Sequence, residues 1–205
     1  SGFLFVNFSF SNGNGGAVFW SGDNGTLTNC DFINNAAAAD DGGAVYWNGH
    51  NGILSNSTFI TNKADASAGA VYWNGPNGSI TGSNFISNFA YNHGGAVYWN
   101  GPNGSITGSN FTNNYADNYG GGVEWSGANG IVTGSTFNSN SASYSGAVYW
   151  DGINGTLIKS TFNNNSATIG YGGAVYWASA NGNLKDSNFT NNNATNGGAV
   201  YWNGV

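Results

Sequence analysis

Apolar positions along this chain return on a schedule of 25–27 residues. Tryptophan stands at Trp20, Trp47, Trp73, Trp99, Trp125, Trp150, Trp177 and Trp202, which is every tryptophan present. A phenylalanine follows each of the first seven by 12 residues, at Phe32, Phe59, Phe85, Phe111, Phe137, Phe162 and Phe189. Seven residues after each of those Trp stands an aliphatic residue: Leu27, Leu54, Ile80, Ile106, Val132, Leu157 or Leu184. Polar residues keep the same beat. An Asn stands three after each Phe, from Asn35 to Asn192, and an Asn-Gly pair stands four and five after each of the first seven Trp, from Asn24-Gly25 to Asn181-Gly182. A fixed period of this size marks a solenoid or array.

The schedule defines the elements. No segment keeps a helical period, and the short alternating stretches read as strands. One strand ends on Trp, one runs through the aliphatic residue and one surrounds Phe. Asn-Gly favours positive φ and sharp bends, so it predicts a corner between faces, not a hairpin. The fold expected is all-β: one right-handed parallel β-helix over residues 1–205, of about 7–8 coils with three short strands each. Length varies only between each Phe and the next Trp, where a surface loop absorbs it.

Inward and outward positions follow from what each coil tolerates. Val18, Val45, Val71, Val97, Val123, Val148, Val175 and Val200 never vary, and neither does Trp. The residue between them is Phe19, Tyr46, Tyr72, Tyr98, Glu124, Tyr149, Tyr176 or Tyr201. A carboxylate is costly in an apolar core, so Val and Trp are expected inward and the Tyr position outward, in a flat stripe of Ala and Tyr. The Asn after Phe is expected to form a hydrogen-bonded ladder between coils.

Gly-Gly-Ala-Val, as at Gly94-Gly95-Ala96-Val97, alternating with Phe-x-x-Asn, as at Phe85 to Asn88, resembles the repeats of chlamydial polymorphic outer membrane proteins and of adhesin-like surface proteins. The resemblance covers nearly the whole chain. It implies the β-helix fold and an extracellular surface or passenger role. The membrane-barrel segment and charged cap of the autotransporter pattern are not in this sequence.

Composition narrows the role. Charged residues are 6% of the chain, with Lys63, Lys159 and Lys185 as the only cations besides histidine, so no basic patch is offered to nucleic acid. The formal charge of −6 is dispersed. Aromatic residues at 16% argue against disorder. No apolar run reaches the roughly 18 residues of a membrane-spanning helix. With no Met and no leader-like segment, a mature, processed product is expected.

Candidate chemistry is sparse. Asp23 and His50 share one position in successive coils and read as a surface turn; Asp65, Asp117 and His93 read as solvated loop residues. No catalytic pair emerges, so the expectation is no enzyme, no cofactor and no metal; a polysaccharide-cleaving β-helix is the reading these carboxylates would have to support. Cys30 replaces the Ser of other coils (Ser57, Ser83), either as a small buried residue or, more sharply, as an intermolecular disulfide. Sequons at the corners, Asn24, Asn77, Asn103 and Asn154, are candidate N-glycosylation sites. Thr26, Thr28, Ser79, Thr81, Ser105 and Thr107 flank the aliphatic position, and a flat Thr face is also the feature of an ice-binding solenoid; Ile53, Ile131, Ile158 and Lys185 interrupt it.

The ends supply the functional expectation. If Ser1 followed Val205, Ser1-Gly2 would take the Asn-Gly position and Phe10 would fall one residue from the Phe position. No capping repeat is evident, although open solenoid ends normally need one. A head-to-tail homopolymer forming an extracellular, cell-surface filament or sheath is therefore expected. Its junction residues would be Ser1, Gly2, Phe3, Phe5, Trp202, Asn203, Gly204 and Val205, with the eight Trp as core stack. The alternative is an adhesin or carbohydrate-binding module that uses the Tyr stripe and takes glycans or other surface proteins as partners.

Overall fold

Inward apolar residues spaced one coil apart pair in register, and the chain winds into a parallel β-solenoid. The computed structural model describes residues 2–205. Four parallel sheets run its length, named here by their inward residue. The Phe sheet has eight strands, from Leu4–Val6 to Asn188–Thr190, and the Trp sheet eight, from Val18–Trp20 to Val200–Trp202. The Leu sheet has seven, from Thr26–Thr28 to Asn183–Lys185. The seven-stranded Ala sheet, Ser9–Phe10 to Ser166–Ala167, is the difference from expectation. Its strands are two residues long, too short for periodicity to reveal, and their inward residue from Ala37 to Ala167 is fully or almost fully buried.

Register is set by like residues. Trp73 pairs Trp47 and Trp99, Phe85 pairs Phe59 and Phe111, and Ile80 pairs Leu54 and Ile106. Trp ring centroids step by 4.7–5.1 Å and Phe centroids by 4.6–4.9 Å, with planes within 9° of parallel. That step is the strand spacing. Because parallel rings touch at about 3.5 Å, the stacks must be offset, which is the arrangement the ring quadrupole favours. Trp47 to Trp177 and Phe32 to Phe162 have no solvent exposure.

Polar ladders close the corners. Asn114 donates from Nδ2 to the Phe85 carbonyl and to Asn140 Oδ1, each at 3.0 Å, and its own Oδ1 accepts from Asn88. This scheme repeats from Asn35 to Asn192 and satisfies amides buried between coils. A second ladder runs outside, Asn51 Nδ2 to Asn24 Oδ1 at 3.1 Å and on through Asn181. These corner Asn residues carry the positive φ, +57° at Asn103. The following Gly serves a different purpose. Gly104 does not have positive φ, but a Cβ there would run into the Trp99 indole.

Two expectations about the Trp strands change. The Ala before Val (Ala44, Ala70, Ala96) is fully buried and belongs to the core, so the outward stripe is not Ala and Tyr. The Tyr position does face away from the Trp core, but loops on the outer side half-cover it, and Glu124 is only 4% exposed.

Candidate functional site

The outer face of the Trp sheet carries two parallel rows. One is the strand row Phe19, Tyr46, Tyr72, Tyr98, Glu124, Tyr149, Tyr176 and Tyr201. The other comes from the variable loops and includes Asp41, Ser67, His93, Tyr119, Tyr144 and Tyr171. Parallel pairing fixes both rows: Tyr98 lies against Glu124 and Glu124 against Tyr149, while His93 bridges to Tyr119. In the strand row Tyr46 stacks on Tyr72 at 4.8 Å and Tyr72 on Tyr98 at 4.9 Å. In the loop row His93 stacks on Tyr119 at 5.4 Å.

Where the rows meet, the Glu124 carboxylate lies 2.7 Å from His93 Nδ1. Burial pushes the Glu124 carboxyl above its usual range, against the lowering effect of His93. Burial alone would lower His93, but its hydrogen bond and charge interaction with Glu124 prevail and raise it. The charge of Asp41 adds to the rise at His93, and that of Asp151 to the rise at Glu124. Burial also raises the Tyr98 phenol, with the charge of Glu124 adding to it. The arrangement joins two titratable partners by one hydrogen bond in a poorly solvated place. Sequence reasoning grouped His93 with Asp65 and Asp117 and missed this pair. The available signal was that Glu124 and His93 both break their rows in adjacent coils.

The other predicted residues fall as follows. Asp23 and His50 share the exposed Asn-Gly corner, with the His50 backbone N–H donating to Asp23 Oδ1 at 2.9 Å. Asn24, Asn77, Asn103 and Asn154 are exposed, and each belongs to the outer amide ladder. Cys30 is free and fully buried, its thiol directed at the Thr28 carbonyl at 3.3 Å as the Ser83 hydroxyl is at Thr81. An intermolecular disulfide is thus inaccessible in the folded chain. Among the described residues no group of three His, Cys, Asp or Glu is placed to hold a metal ion.

Of the junction residues, Ser1 lies outside the described residues. Gly2 and Phe3 are exposed, and Phe5 is half-buried. The expected alignment of the first coil is corrected. Phe5, not Phe10, enters the Phe stack, 4.6 Å from Phe32, and Phe10 takes the position of Ala37. Gly2 N–H donates to the Thr28 carbonyl as Asn29 does to Ser55, so Gly2 lies past the Asn-Gly corner. The stacking partner for an inward Phe outweighs the match of the Gly. At the other end Trp202 stacks on Trp177 at 4.8 Å and is 43% exposed; Asn203 and Val205 are exposed and Gly204 half-buried.

Repeated Trp, Phe and Leu rungs with two Asn ladders define a tandem-repeat parallel β-solenoid. Residues 159–176 match the family model of the Chlamydia polymorphic membrane protein repeat. That stretch contains Phe162, Asn165 and Gly172-Gly173-Ala174-Val175, the residues on which the resemblance rests. No curated protein and no solved structure matches the chain.

Proposed function

We propose that this chain is a rigid structural element of a cell surface whose coils stack end to end with further copies into a filament or sheath. The repeat match over residues 159–176 supports the surface placement, since the matched repeat is that of a membrane protein family. In this reading the chain is structural, not catalytic, and its principal partner is itself.

One observation carries the stacking: the two end faces present the same Trp and Phe rungs as an inner junction. One face shows Trp202, Phe189 and Leu184, the other Trp20, Phe5 and, one coil further in, Leu27. Between inner coils these positions are buried, whereas Trp202 is 43% exposed and Phe189 and Leu184 are only half-buried. Both faces also end in unpaired strand edges, which template further pairing. Joining one face to the other places Trp on Trp and Phe on Phe, a head-to-tail contact that does not close and so propagates. Sedimentation velocity across a concentration series tests this. Growth of species above 21.1 kDa, abolished by Trp202→Asp, is expected. A monodisperse particle at all concentrations, as when a longer chain covers the faces with its own coils, overturns it.

A further inference from the structure

The outward positions of the Ala sheet are small or flexible in most coils: Ala36, Lys63, Ser141 and Ser166. In two adjacent coils they are aromatic, Phe89 and Tyr115, and Tyr91 joins them two residues along. Phe89 and Tyr115 stack at 5.5 Å with planes 12° apart, and Tyr91 meets Phe89 edge-on at 4.7 Å. Lys63 Nζ lies 4.8 Å from the centre of the Tyr91 ring and 3.2 Å from Asp65. Tyr91 is 48% exposed and Tyr115 41%. Neighbouring coils form the same strands with Ala or Ser at this position, so the fold does not require these rings. A contiguous exposed aromatic cluster calls for another explanation.

The row stops abruptly. One side of Tyr115 meets Phe89; on the other its register partner is Ser141, followed by Ser166. The stack therefore ends in a step, with an aromatic wall and a hydroxyl-bearing floor. Burial raises the Tyr115 phenol, and the carboxylate of Asp117, two residues along the same segment, adds to it. Ser143 Oγ donates to the Asp117 carbonyl, which ties the loop to the next coil.

We infer that this step binds an uncharged sugar unit of a polysaccharide, seated against Tyr115 where the next ring of the row would stand. A pyranose presents a flat face of C–H bonds with slight positive charge, which complements the negative face of an aromatic ring. Its rim hydroxyls need a few polar partners near an apolar surface, here Asp117 and Ser141. Charge selects the class. Lys63 is already neutralised by Asp65, and the chain carries −6 without any Arg, so an anionic polymer finds no counter-charge. The Tyr46–Tyr72–Tyr98 row on the Trp sheet offers less, because those rings cover one another's faces. The site is independent of end-to-end stacking, so either proposal can fail alone.

Affinity electrophoresis of the purified protein tests it, in native gels containing mixed-linkage β-glucan or galactomannan, with alginate as the anionic control. Retardation is expected in at least one neutral gel and not in alginate. Tyr115→Ala should weaken it at least tenfold. Ser141→Tyr should do the same while removing nothing from the fold, because the new ring extends the row into the sugar's place. Tyr46→Ala should leave it unchanged. Absence of retardation in both neutral gels, retardation by alginate alone, or binding that survives both Tyr115→Ala and Ser141→Tyr would overturn the inference.

Discussion

Glu124 and His93, 31 positions apart in sequence, face each other at 2.7 Å between the strand row and the loop row on the outer side of the Trp sheet. Both groups hold their protons more firmly in the folded chain than in the unfolded one. For a raised pKa the stabilising contribution is complete below the unfolded value and is lost as pH rises through the folded one. Those unfolded values are 4.5 for Glu124 and 6.5 for His93. Asp41, in the same loop row, is shifted in the same direction by burial. Thermal melting should therefore show a Tm that declines as pH rises above 4.5, where the contribution of Glu124 begins to be lost, and further above 6.5, where that of His93 does. Glu124→Gln should flatten that decline. A Tm that rises with pH over this window, or a slope unchanged in Glu124→Gln, contradicts the assignment.

The inner Asn ladder predicts a large, localised loss. Asn114→Leu leaves the Asn88 backbone N–H and one Asn88 Nδ2 proton, both buried, without partners. At about 1–3 kcal/mol for each orphaned group, urea denaturation should show a loss of about 2–6 kcal/mol. Because coils contact only their neighbours, hydrogen exchange should quicken around Asn88, Asn114 and Asn140 before it does at Trp47 or Trp177. A loss within 0.5 kcal/mol would mean that the ladder is decorative.

Much of this was legible in the sequence because like residues repeat where they stack. Trp99, Phe85 and Asn114 each announce their position by recurrence, and so did the corner at Asn103. What stayed hidden depends on neighbours several strands away. An Ala recurs two residues after each ladder Asn, but its two-residue strands are too short to show alternation and read as loop, and Ala96 looked like part of an outward stripe although it packs in the core. Phe10 fell one residue from the Phe position when the chain ends were joined on paper, yet Phe5 takes the stack because the first coil enters past its Asn-Gly corner. The Glu124–His93 pair needs two departures from pattern to be placed in space together, which a linear reading does not do.

Two glycines separate the meanings of Gly in this repeat. Gly104→Ala forces a methyl into the Trp99 indole and should cost about 1–3 kcal/mol as overpacking. Gly108 has φ +56° and open space around it, and Asn occupies the equivalent position as Asn29 and Asn56. Gly108→Asn should therefore be neutral or slightly stabilising by denaturant titration. Equal losses from the two variants would refute the indole explanation.

Cys30 is expected to behave as a serine of larger radius. Its backbone N–H donates to Ser57 Oγ at 3.1 Å, the same link that joins Ser57 to Ser83. Cys30→Ser should change stability by less than about 0.5 kcal/mol, and the native thiol should resist labelling until the chain unfolds. Rapid labelling under native conditions would show that the first coils open readily.

The central claim is that one end face continues the other, and cryo-electron microscopy of concentrated protein tests it most directly. The account predicts unbranched filaments with an axial strand spacing of about 4.8 Å running uninterrupted through the Trp and Phe stacks of successive copies. Discrete single-solenoid particles, or ribbons joined side by side with both end faces open, would contradict it.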